Sequence, residues 1–221
     1  MSGFTGFNPD NVTQLSTKVA TTSDEIAELI VSKIKTEIVD PMSQAWYSKE
    51  GVDFFKRFEE AVKGTGPHIQ KIFAAYNDGV CEAGEHWRRR TDDTRSITKA
   101  IVDTPTMHCD TSCMQDQING NAGIFEAGCE AVANKISGVR QDIFEQLKVA
   151  ASSLKAESSF LGQNQASAVE ELFIRIQDEV NRIFRFLEED TNGPSLKSCI
   201  KKTVEDYQAA GQDVTRAFTQ S

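Results

Sequence analysis

Apolar residues recur at three- and four-residue intervals through most of this chain, and that spacing predicts helices. Val12, Leu15, Val19, Thr22, Ile26, Leu29 and Lys33 mark the first stripe, with Ile30, Ile34 and Ile38 widening it. Asn8-Pro9-Asp10 supplies its start: Asn8 can cap, Pro9 suits the first helical position and Asp10 favours the positive end of the dipole. Val39-Asp40-Pro41 is expected to kink or end this helix, because a proline ring clashes with the preceding turn. A second stripe runs through Val52, Phe55, Phe58 and Val62, pauses at Lys63-Gly64-Thr65-Gly66-Pro67, and resumes in phase from Ile69 and Phe73 to Val80 and Trp87. The third is the longest, from Ile118, Ala122 and Phe125 through Cys129, Ile136 and Leu147 to Leu154. Val169, Leu172, Ile176, Val180, Ile183 and Leu187 form the fourth. It breaks at Thr191-Asn192-Gly193-Pro194 and resumes through Leu196, Ile200, Tyr207, Ala210 and Val214.

No segment alternates with the period of two that a strand requires, so the expected fold is all-α. Two corners divide the stripes. Trp46-Tyr47-Ser48 sets a large aromatic before a helix-capping serine, and Phe160-Leu161-Gly162 sets an aromatic before a glycine. Each corner joins two long amphipathic helices, which predicts two antiparallel helical hairpins packed as a four-helix bundle. The second helix of each hairpin is expected to kink or break at its Gly-Pro. The expected boundaries are residues 1–102 for the first hairpin, 103–116 for a linker loop and 117–221 for the second hairpin. The halves share a plan, and Gly66-Pro67 aligns with Gly193-Pro194, Ala83-Gly84 with Ala210-Gly211 and Trp87 with Val214. That points to an internal repeat.

Composition narrows the function. The formal charge is -9 over 221 residues, so nucleic acid and anionic membrane would be repelled over most of the surface. The one basic run, Arg88-Arg89-Arg90, reads as a helix C-terminal turn favoured by the macrodipole. No stretch approaches the roughly 20 apolar residues of a membrane span, and the N-terminus lacks the charged and apolar regions of a secretory leader. No phosphate-binding glycine loop, catalytic serine motif or Glu-x-x-His pair is present. A non-catalytic protein without cofactor is therefore expected.

The densest chemistry is His108-Cys109-Asp110-Thr111-Ser112-Cys113. His108, Cys109 and Cys113 are weak candidates for zinc if Cys129 or a carboxylate completed the set, and Cys109 with Cys113 could form a local disulfide. Cys81, Cys129 and Cys199 read as small core residues, as do Phe55, Phe58, Phe73 and Phe125.

A helical hairpin with tryptophan at its corner and a long stripe on each side resembles the WXG (Trp-x-Gly) proteins of type VII secretion. Here Trp46-Tyr47-Ser48 has serine where that family has glycine, and Phe160-Leu161-Gly162 keeps the glycine but replaces the tryptophan. The resemblance implies a tandem fusion of two hairpins, forming within one chain a bundle the family builds from two, and hence a monomer. It also implies a leaderless protein, cytoplasmic before export and then secreted, acting as substrate or as carrier for a helical partner. Trp46, Tyr47, Ser48, Phe160, Leu161 and Gly162 would shape the surface read by that partner or by the secretion machinery. The family's export signal, Tyr followed four residues later by Asp or Glu, is absent: Tyr76 precedes Val80 and Tyr207 precedes Gly211. The alternatives are a cytoplasmic adaptor that binds another helical protein and a small zinc-binding protein.

Overall fold

The computed structural model describes residues 8–116, 122–162, 164–191 and 193–219, with side chains at all of these but 116, 164 and 214–219. The fold is all-α. Helix α1 (Pro9–Ile34) starts where the Asp10 N–H donates to Asn8 Oδ1 at 3.0 Å. It does not end before Pro41. It widens to a π turn over Lys35–Val39, in which the Asp40 N–H reaches back to the Lys35 carbonyl, and continues as α2 (Asp40–Ser43). A wider turn shifts the carbonyl that the proline ring would strike, so the helical path survives Pro41.

Helix α3 runs unbroken from Lys49 to Arg90 with Pro67 inside it. The helix does not break at Gly66-Pro67. Val62 and Thr65 before the proline and Ile69 and Phe73 after it are all buried, so packing holds the turns on both sides of the missing N–H. A short α4 (Cys113–Asp116) precedes α5 (Glu126–Glu157). A single 3-10 turn at Ser159–Leu161 leads into α6 (Asn164–Glu188), and α7 spans Leu196–Thr219. Here the expected break is real. Gly193 has φ +126°, which no helix accommodates, and Ser195 caps α7 by accepting from the Ser198 N–H at 3.3 Å, while the Asp190 carboxylate accepts from the Ser195 N–H and the Ser198 hydroxyl. The two Gly-Pro sites that align in sequence thus differ in structure. A further difference is β1 (Trp46–Tyr47), which pairs antiparallel with β2 (Gly123–Ile124) where no strand was expected.

The stripes are buried as the spacing predicts, from Val12 to Ile38 in the first and from Val169 to Leu187 in the fourth. Trp87, Ala122, Phe125, Tyr207 and Ala210 are exposed instead. Trp87 is 44 % exposed and Phe125 is 64 % exposed, because α5 starts after Phe125 and α3 reaches its last turn at Trp87. Ile118 lies outside the described residues, as does the side chain of Val214.

The chain forms two compact units that do not follow the hairpin boundaries. Unit 1 takes the described parts of Met1–Ile30, Gly64–Met107 and Asp142–Val180, and unit 2 those of Val31–Lys63, His108–Gln141 and Asn181–Ser221. In unit 1, segments of α1, α3, α5 and α6 pack together. Phe73 of α3 meets Phe173 of α6 edge-on at 6.3 Å, and Lys155 of α5 pairs with Glu170 of α6 at 2.6 Å. In unit 2, an aromatic cluster fills the space beside β1.

Glycines supply a local test. Gly64 in α3 and Gly138 in α5 are helical and exposed, and an added Cβ would meet nothing within 4 Å. Gly64→Ala and Gly138→Ala should each stabilise the fold by about 0.5–1 kcal/mol in urea denaturation, because alanine loses less chain entropy in a helix.

No helix among the described residues is long and apolar enough to cross a membrane.

Candidate functional site

The first corner is built around Trp46, which is fully buried in unit 2. Ser48 caps α3 as expected: its Oγ accepts from the Gly51 N–H at 3.2 Å. Gly51 then sits under the indole. A Cβ there would lie 3.0 Å from the ring, so glycine is what lets the first turn of α3 approach Trp46. The indole continues into a cluster of Phe54 (6.3 Å), Phe55, Phe58 and Phe186. Phe54 and Phe186 fall beside the stripes used above, since the buried arc of each helix is wider here than a single row. Tyr47 is half-buried, and its hydroxyl donates to the Gln44 carbonyl. The Ala45 carbonyl accepts from the Phe125 N–H at 2.7 Å and from the Cys129 thiol at 3.5 Å, tying the corner to the start of α5. The Trp46 N–H has no partner among the described residues.

The second corner belongs to unit 1. Phe160 is half-buried over a hollow of about 490 Å³ with Asn11, Gln14, Ser153, Ala156 and Glu157. Leu161 is also half-buried, and Gly162 has φ +104°, a conformation that disfavours any side chain. Trp46 and Ser48 are therefore closed inside the protein, whereas Tyr47, Phe160, Leu161 and Gly162 reach its surface.

The cysteine segment does not gather a metal site. His108 Nδ1 lies 2.9 Å from Glu59 Oε1, and the Thr111 hydroxyl donates to Glu59 Oε2 at 2.7 Å. The Cys113 thiol points to Asp40 Oδ1 at 3.8 Å, and Lys35 donates to that same carboxylate at 2.7 Å. Among the described residues no three His, Cys, Asp or Glu side chains could hold a metal ion, and Cys109 and Cys113 are free thiols. These contacts anchor the segment to α3 and to the π turn. Burial pushes the thiols of Cys109 and Cys129 up to about 12. Since the thiolate is the reactive form, both should resist iodoacetamide at pH 8 in the native protein and react fully only in denaturant, as peptide mass mapping would read.

One arrangement was not legible in the sequence. After α3 the chain runs without regular structure from about residue 94 to residue 107, as a strap across α1 and α3 of unit 1. Arg95 fastens its start, donating to Asp93, to Asp10 at 3.2 Å and to Asn8 at 3.1 Å, and its hydrogen bonds hold the Asp93 carboxyl down at about 2. Side chains then grip the main chain at alternate residues. The Thr98 N–H donates to Thr13 Oγ1 (3.1 Å) and the Ala100 N–H to Ser16 Oγ (2.8 Å). Asn77 Nδ2 donates to the Ala100 carbonyl (2.9 Å) and Gln70 Nε2 to the Val102 carbonyl (3.0 Å). Thr104 pairs with Ser23, and Met107 packs on Gly66. Val102, Thr104 and Met107 face inward, and Ile101 is 84 % exposed. The signal was present as polar residues on apolar faces: Ser16, Ser23 and Asn77 are buried among the stripes.

No protein-family model, curated protein or solved structure matches this chain.

Proposed function

We propose that the chain is a non-catalytic helical protein that works by binding another protein, within a type VII secretion pathway, as secreted substrate or as carrier. Helix α7 carries the binding reading. Leu196, Ile200, Thr203 and Val204 are buried, but every residue from Glu205 to Asp213 is exposed, so the helix outruns the body that supports it. A helical stretch exposed over this length is stabilised by a groove that takes its face. The aromatic corner supports the secretion part: Trp46, sealed by Gly51 beside the Ser48 cap, plugs the turn between long helices as the WXG resemblance implies.

Truncation after Val204 tests this. The truncated chain should keep its melting temperature within about 2 °C, because residues 205–213 are all exposed, and its export should fall. Unchanged export would remove α7 from the mechanism. The second reading is an adaptor that stays in the cell. It is favoured by Tyr207, which precedes Gly211 rather than an acidic residue, and it predicts the chain in the cell fraction alone.

A further inference from the structure

The strap is held as a docked peptide is held. Its hydrogen bonds with Thr13 and Ser16, which accept, and with Asn77 and Gln70, which donate, all join helix side chains to main-chain groups, and no strand pairs with it. Such contacts read an extended backbone rather than a sequence, with inward pockets at alternate residues. Yet the fit is incomplete in two places. Asn77 is fully buried, and while its Nδ2 binds Ala100, its Oδ1 has no partner among the described residues. The Ser23–Thr104 bond sets Asp24 beside Asp103, where Asp24 Oδ1 is buried without a partner among the described residues. Burial first, and then Glu28, Asp103 and Glu25, push the Asp24 carboxyl above its ordinary value. The strap thus brings a like charge to a carboxylate whose Oδ1 has no partner among the described residues.

We propose that the groove between the α1 and α3 segments of unit 1 is a docking site for an extended segment of a partner protein, occupied in cis by the strap, and that the preferred segment carries a basic residue where the strap has Asp103. That segment needs free N–H groups at the registers of Thr98 and Ala100, so proline is excluded there. It needs modest apolar or β-branched side chains at the registers of Val102 and Thr104. A lysine or arginine at the register of Asp103 meets Asp24, Glu25 and Glu28 on one turn of α1. The site is separate from α7, which belongs to unit 2, and stands or falls without it.

The test uses the full chain with Ala100→Pro, which keeps an extended backbone but removes the N–H that Ser16 accepts, weakening the cis occupant. Labelled peptides with the sequence of residues 94–107, in the native form and with Asp103→Lys, are titrated by fluorescence anisotropy. The Asp103→Lys peptide should bind the Ala100→Pro chain about tenfold tighter than the native-sequence peptide does, the scale of one charge-assisted hydrogen bond. It should also bind that chain tighter than it binds the unmodified chain. Equal binding of the two peptides, or none to an Ala100→Pro chain with intact helical circular dichroism, overturns the proposal. If Ala100→Pro does not fold, Asp103→Lys in the intact chain decides: a raised melting temperature supports the basic register, and an unchanged or lowered one refutes it.

Discussion

Trp46→Ala should destabilise the protein by about 3–5 kcal/mol, as removal of a buried aromatic side chain does where the surroundings cannot close the cavity. The surroundings here are stiff. Phe54, Phe55 and Phe58 are fully buried on α3, the cap at Ser48 fixes the first turn, and Gly51 lies so close to the indole that an added Cβ would sit 3.0 Å from the ring. Trp46→Phe should behave differently. It loses ring volume, but it also removes a buried N–H that has no partner among the described residues, a group that costs about 1–3 kcal/mol when unpaired. The two terms oppose, so the net change should stay below about 1.5 kcal/mol. Urea denaturation of the two variants separates a core tryptophan from a surface handle. A handle would give an alanine variant with nearly native stability.

Gly84→Leu should cost about 1–3 kcal/mol, the range for overpacking a filled site. A Cβ at Gly84 would lie 2.8 Å from Ile97 of the strap and 2.8 Å from Val12 of α1, so three segments converge on the space left by one hydrogen. Val12 is β-branched and cannot turn aside. Ile97 is half-buried and offers only the end of its side chain, so Ile97→Ala should relieve part of the strain. The double variant should therefore be more stable than the sum of the single effects predicts, by at least about 0.5 kcal/mol. Simple additivity across the four proteins would mean that the strap does not bear on Gly84.

The helices were legible because their stripes are long. Over Val169 to Leu187 or Cys129 to Leu154, a 3.6-residue period has no rival, and burial follows it. Punctuation was harder to read. Gly66-Pro67 and Gly193-Pro194 are the same dipeptide, but the first lies among buried residues on both sides and the second follows exposed residues 188–191. Packing outweighs one lost hydrogen bond in α3, and nothing opposes the break before α7. Pro41 was likewise absorbed, by a π turn that no local pattern announces. The Ser48 cap was legible because capping is a local event between a serine and the next turn. The role of Gly51 was not, since it depends on which ring folds over it.

The strap escaped for a different reason. Its inward positions Val102 and Thr104 alternate as a strand would, but the period slips across Pro105-Thr106 before Met107, and the residues are mixed in character. Its partners are polar residues scattered over two helices, at separations that only the folded chain brings together. The same holds for His108, which a metal reading took by its proximity in sequence to two cysteines and which the fold gives to Glu59.

We propose that this chain serves secretion by binding rather than by catalysis. The most direct measurement is its distribution between medium and cell pellet, in its native cells with the type VII motor intact or inactivated. The untruncated chain should reach the medium only when the motor is intact, and should be lost from it when residues 205–221 are removed. Chain confined to the pellet in both backgrounds would contradict it.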